Sequence, residues 1–168
     1  MMIHLLTLFA PLVATDNPRK STFVYMTDPI LLVEDSPDDV VFLKRALVET
    51  GVGNLLHVVV DGQQALDYLA GKNKYTDRAT YPLPHLIFLD LKLPRVSGLE
   101  VLRWLRAQPE FSRMIVIVLT SSDHPADVKQ AYALGANSYL TKPLKPAELT
   151  DLVKAVADYW LKRNVAVR

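Results

Sequence analysis

The sequence predicts a doubly wound α/β domain. Short, continuously apolar runs recur along the chain, and amphipathic segments carrying helix-start signals lie between them. The length of 168 residues favours one domain, long enough to bury a sizeable core.

The apolar runs are, in order, Ile30 to Val33, Leu55 to Val60, Leu86 to Leu89, Met114 to Leu119 and the shorter Ser138 to Thr141. Several are apolar throughout rather than alternating, which suits strands buried on both faces of a parallel sheet. After the first run, Ser36, Pro37, Asp38 and Asp39 supply an N-cap, a first-turn proline and first-turn acids. Val40, Leu43 and Leu47 then share one helix face, and Gly51 can end that helix. Gly71 to Pro84 has charge, two prolines and no clear period, and reads as an extended loop before the third strand. Ser97 and Glu100 make a capping box ahead of Leu102 and Leu105. Asp123 and Pro125 open a helix that ends near Gly135. Pro146 opens the last helix, whose face includes Leu149, Leu152, Val153, Val156 and Trp160. Five strands alternating with five helices, joined by right-handed crossovers, point to a flavodoxin-like sheet in the order 2-1-3-4-5. Such a sheet has a switch point between strands 1 and 3, where functional groups gather past the C-terminal ends of the strands.

Composition narrows the function. Nineteen basic and 18 acidic side chains leave a formal net charge of +1, which gives no support for a broad nucleic-acid footprint. The chain has no cysteine, so disulfides, thiolate metal sites and cysteine nucleophiles are excluded, in keeping with a cytoplasmic protein. No apolar stretch reaches the roughly 18 residues of a membrane span. The start, MMIHLLTLFAPLVAT, has a short apolar core broken by Pro11, with no Lys or Arg before it, unlike a secretory signal. Residues 1–28 read as an N-terminal extension, with Met26 as a second plausible start, and residues 29–168 as the domain.

The strand ends carry the chemistry. Strand 1 ends in Glu34 and Asp35, strand 3 in Asp90, strand 4 in Thr120 followed by Ser121 and Ser122, and strand 5 in Thr141 and Lys142 followed by Pro143. Each alone is ordinary: an Asp at a strand end is usually a turn or cap residue. Together they bring three carboxylates, a hydroxyl and an ammonium to one rim. Crowded carboxylates resist ionising, and a divalent cation relieves their repulsion. Hard oxygen ligands with few dedicated protein groups suit Mg²⁺. Phosphoryl transfer needs positioning and charge neutralisation above all, and a carboxylate can serve as its nucleophile. Asp90, on the central strand, takes that role. Glu34 and Asp35 hold Mg²⁺, Lys142 neutralises a phosphoryl oxygen and Thr120 donates to another.

The stretches LLVEDSPDD, LIFLDLKLPRVSGLEVL, IVIVLTSS and GANSYLTKPL resemble bacterial response-regulator receiver domains, the CheY-like superfamily, in order and spacing. The resemblance implies that Asp90 takes phosphate from a phosphohistidine on a sensor histidine kinase. It also implies Mg²⁺ at Glu34, Asp35, Asp90 and the backbone carbonyl of Lys92, a switch pair of Thr120 and Tyr139, and a cis bond before Pro143. EDSPDDVVFLKRAL, the long loop before PHLIFLDLKLP and the Tyr159–Trp160 pair resemble stand-alone regulators of phytochromes. That likeness implies a phytochrome-type kinase as donor and a homodimer through helix 4, strand 5 and helix 5. Two positions depart from the common family pattern. Lys92 stands where Asn is frequent, and Ser122 is small where fast self-dephosphorylating members carry a carboxamide or acid. The Lys92 side chain either reaches over the site and alters the phosphoryl lifetime or faces solvent, and the small Ser122 points to a phosphoryl group that lasts longer than in those members. Only LKRNVAVR follows Trp160, so output is expected through a protein target rather than a DNA-binding unit.

The alternative reading is a small phosphatase of the haloacid-dehalogenase kind, which also uses an Asp nucleophile and Mg²⁺. Against it, the second residue after Asp90 is Lys92 rather than an acid, and the acidic pair precedes the nucleophile. A stoichiometric acceptor, not a turnover enzyme, is expected. DGQQA, the glycine-containing turn after strand 2, has neither a Walker pattern nor GxGxxG.

Overall fold

The computed structural model describes residues 29–49 and 56–164. The N-terminal extension and the helix end expected at Gly51 lie outside the described residues. Among the described residues five strands and five α-helices alternate: β1 (Ile30–Val33), α1 (Pro37–Glu49), β2 (Leu56–Val59), α2 (Gly62–Ala70), β3 (Leu86–Leu89), α3 (Gly98–Ala107), β4 (Ile115–Thr120), α4 (Pro125–Ala133), β5 (Ser138–Thr141) and α5 (Pro146–Val156). All strands are parallel, in the order β2-β1-β3-β4-β5. β1 pairs with β2 on one side and β3 on the other, so the chain reverses its winding direction there.

Side chains alternate across the sheet into two cores, as the period of a strand requires. Leu31, Val33, Ile87, Leu89, Val116 and Val118 face α2, α3 and α4. Ile30, Leu32, Leu86, Phe88, Ile117 and Leu119 face α1 and α5. Burial on both faces explains why β1, β3 and β4 as far as Leu119 are apolar throughout. Each such side chain contributes about 1.5–3 kcal/mol on leaving water.

The caps follow the sequence with one shift. Ser36 Oγ accepts the Asp39 amide, and Ser97 with Glu100 forms the full capping box of α3. The α4 N-cap is His124 rather than Asp123; its Nδ1 accepts the Ala126 amide, because Pro125 takes the first helical position. After α5 the chain runs on through a π-helical turn, Ala157–Leu161, which buries Leu161 and leaves Tyr159 half exposed.

Gly71 to Pro84 is more organised than an extended loop. It holds a 3-10 turn, Asn73–Tyr75, and buries Tyr75 against Tyr68 and Tyr81. Arg78 ties it to α2 by donating to the carbonyls of Tyr68 and Leu69. His57 of β2 packs on Tyr68 and Tyr81, and its buried Nε2 has no hydrogen-bond partner among the described residues. Burial holds the His57 imidazole below its usual pKa.

Candidate functional site

The C-terminal ends of β1, β3, β4 and β5 deliver the expected groups to one rim. The ladder sets their height: the Glu34 amide donates to Val59 O, the Asp90 amide to Val33 O and the Lys142 amide to Thr120 O. Glu34 and Asp90 are almost fully buried, whereas Asp35 is exposed. Lys142 reaches across from the edge strand, and its Nζ donates to Glu34 Oε2 at 2.6 Å, Asp90 Oδ2 at 2.7 Å and Asp39 Oδ2 at 2.8 Å. Backbone amides take the other oxygens: Ser36 N–H donates to Glu34 Oε1 and Lys92 N–H to Asp90 Oδ1, each at 3.1 Å.

Charge accounts for the state of these groups. Burial pushes the Glu34 carboxyl above its usual pKa, against the pull of the Lys142 ammonium. Burial works against the charged form of Lys142 too, but the hydrogen bonds it donates to Asp39, Asp90 and Glu34 outweigh that and hold the ammonium above its usual range. One ammonium does not balance Glu34, Asp35, Asp39 and Asp90 together, and the excess is negative. One oxygen from each of Glu34, Asp35 and Asp90 lies within 4.8 Å of the others. An all-oxygen, net-negative cluster with one member open to solvent fits a hard divalent cation that keeps part of its water shell.

The hydroxyl side of the rim is also assembled. Thr120 is fully buried, two residues beyond Val118, which is the register partner of the residue before Asp90. Thr120 Oγ1 accepts the Ser122 amide at 3.4 Å. Tyr139, on β5, donates its hydroxyl to Ser122 O at 2.9 Å and packs partly buried on the α2–α4 side of the core. Burial raises its pKa. Ser122 Oγ turns toward α4 and donates to Asp127 Oδ2 at 2.5 Å. The Lys92 side chain is exposed. A cavity of about 280 Å³ opens beside Lys142, between Phe42 of α1 and Leu144 and Leu149 beyond β5.

One expectation is corrected. The Lys142–Pro143 bond is trans, not cis, since no cis peptide occurs among the described residues. An X-Pro bond prefers trans by only about 0.5–1 kcal/mol, and Lys142 reaches all three carboxylates from the trans form. One site residue was missed: Asp39. Its place in the first turn of α1 is already explained by helix capping preferences, so composition gave no further signal. The available clue was its position, since α1 starts at the rim where β1 ends.

The residues Ile30 to Lys154 match a family model described as the response regulator receiver domain. A probable methanogenesis regulatory protein, FilR2 of Methanothrix harundinacea, is 36% identical over 135 residues, covering 80% of this chain and 84% of that one. Response regulator Rcp1 of Synechocystis is 36% identical, covering 79% of this chain and 88% of its own. Among solved structures, the phosphorylated cyanobacterial phytochrome response regulator RcpA superposes with a TM-score of 0.78 at 33% identity, covering 84% of this chain and 99% of that one. The Mn(2+)-bound form of Rcp1 gives 0.77 at 34% identity with the same coverage.

Proposed function

The chain belongs to the response regulator receiver domain family of two-component systems, and from that premise we propose that Asp90 is its phosphoryl acceptor. The observation that carries the assignment is Lys142, whose ammonium bridges Asp90 and Glu34 across the sheet from an edge strand. An ammonium placed there can neutralise the oxygens of a phosphoryl group arriving at Asp90. In the transfer, a carboxylate oxygen of Asp90 attacks phosphorus as the phosphorus–nitrogen bond to the donor histidine breaks. The imidazole leaves with that electron pair and gains a proton. Glu34, Asp35, Asp90 and the Lys92 carbonyl would hold Mg²⁺, which would supply charge neutralisation to the phosphoryl oxygens.

The protein acts as a stoichiometric acceptor in the cytoplasm, and its output passes through a protein target. A phytochrome-type histidine kinase is the proposed donor, supported by the phytochrome regulator among its relatives. Thr120 and Tyr139 form the switch, supported by their shared link to the Ser122 backbone. A homodimer through α4, β5 and α5 is supported by the exposed rings of Tyr132 and Tyr159 near that face. A long phosphoryl lifetime is supported by Ser122, whose hydroxyl is occupied by Asp127. The phosphatase alternative finds no support in the family match.

Acetyl phosphate with Mg²⁺, followed by intact-mass analysis, tests the central assignment. One base-labile phosphoryl adduct should form and be absent from Asp90→Asn. Persistence of the adduct in that variant would show that the acceptor is elsewhere. Multiple turnovers of a phosphomonoester would favour the phosphatase.

A further inference from the structure

The loop between β3 and α3 leaves Asp90 and returns at Gly98, and both ends are fixed at the rim. Lys92 N–H donates to the Asp90 carboxylate, and Gly98 N–H donates to Leu91 O at 3.1 Å. Gly98 lies so close to the Asp90 carbonyl that a Cβ there would come within 2.0 Å of its oxygen. The middle of the loop is held by α2. Gly62 abuts the Val96 carbonyl equally closely, and the Arg95 guanidinium pairs with the Asp61 carboxylate.

Three features of that pair exceed what a helix cap needs. Asp61 is 1% exposed. Its Oδ1 accepts the Gln64 amide and its Oδ2 accepts Gln64 Nε2, but among these partners only Arg95 carries the counter-charge a buried carboxylate requires. Capping alone would be met by Asn or Ser. Arg95 also adopts φ of 67°, a left-handed conformation that a bulky residue rarely takes and that persists only where its surroundings over-determine it. The residue held in that conformation is three positions after Lys92 and five after Asp90.

We propose that Asp61 and Arg95 are a positioning pair that holds the β3–α3 loop against α2, and so sets the affinity of the Glu34–Asp35–Asp90 rim for a divalent cation. The inference rests on the receiver reading above. Neither residue touches the acceptor; they act through the Lys92 and Leu91 backbone. Partners that orient metal ligands from behind commonly contribute 10- to 100-fold in affinity.

The test is Mn²⁺ titration followed by the electron paramagnetic resonance signal of the free ion, with no phosphodonor present. Arg95→Gly removes the guanidinium and relieves the left-handed backbone, and Asp61→Asn keeps the α2 cap while removing the charge. Each should lower Mn²⁺ affinity about tenfold. The double variant should fall no further than either single one, and Arg95→Lys should stay near wild type. A purely structural role would lower the unfolding midpoint in EDTA and leave the Mn²⁺ affinity alone. Affinity within about twofold of wild type in Arg95→Gly, well below the effect expected of such partners, overturns the proposal. If wild type accepts phosphoryl at Asp90 while Arg95→Gly binds Mn²⁺ normally, only the positioning pair fails. If wild type accepts none, it is the receiver reading that fails.

Discussion

Replacing Lys142 by Met tests the electrostatics of the rim most directly. Met keeps an unbranched side chain of similar reach and removes the charge. Lys142 makes three charge-assisted hydrogen bonds of 2.6–2.8 Å. Two go to side chains that are 3% and 6% exposed, and the third to Asp39, which at 39% exposure is screened by solvent and counts for little. Without the ammonium, Glu34 and Asp90 remain buried, close together and unpaired. Removing one partner of a buried ion pair costs about 3–5 kcal/mol. Urea denaturation at pH 8 in EDTA should therefore show Lys142→Met less stable by about that amount. Mg²⁺ should then narrow the gap, because a cation that binds only the folded state adds about 2.7 kcal/mol at a hundred times its dissociation constant, and the variant rim is more negative. A deficit below about 1 kcal/mol in EDTA, no more than an exposed pair would give, would refute the reasoning. So would a deficit that grows when Mg²⁺ is added.

Two further outcomes follow from the packing. Gly98→Ala would place a methyl group 2.0 Å from the Asp90 carbonyl oxygen and 2.8 Å from Leu91 Cα. Backbone cannot yield there cheaply, so urea melts should show a loss of about 1–3 kcal/mol, and phosphorylation by acetyl phosphate should slow as Asp90 is displaced. His57 has its pKa lowered by burial, so the unfolded chain takes up the proton first as pH falls. Its contribution to stability is intact above the unfolded value near 6.5 and is lost as pH falls through the depressed folded value; His57→Phe should flatten that part of the stability–pH curve, measured by denaturant titration, and an unchanged slope would show that another group is responsible.

Much of this was readable from residue order because the physics involved is local or topological. The apolar runs matched β1 and β3 residue for residue, since a strand buried on both faces has no polar position to blur its limits, whereas β4 is displaced by one residue because Thr120 closes it. Glu34, Asp35, Asp90, Thr120 and Lys142 were legible because a parallel sheet puts every strand's C-terminal end on one rim. Asp39 was not, because a first-turn acid is already accounted for by the helix dipole. The Asp61–Arg95 pair spans 34 residues and leaves no periodicity to detect. The isomer of the Lys142–Pro143 bond turns on less than about 1 kcal/mol, below what sequence pattern resolves. Tyr75 and Arg78 look like loop residues until the 3-10 turn between β2 and β3 brings them to α2.

The bridging lysine also bears on how the domain is assembled in time. Its partners lie 108, 103 and 52 residues away along the chain. Contacts of such long range are reached only after the entropy of closing large loops has been overcome, so they form late on the folding route. Interactions absent from the transition state slow unfolding without hastening folding. The ammonium therefore acts as a latch, closed once the last strand has joined the sheet. On a ribosome, where the N-terminal part emerges first, the Asp90 carboxylate is made long before its cationic neighbour, and the rim lacks its ammonium until β5 is in place.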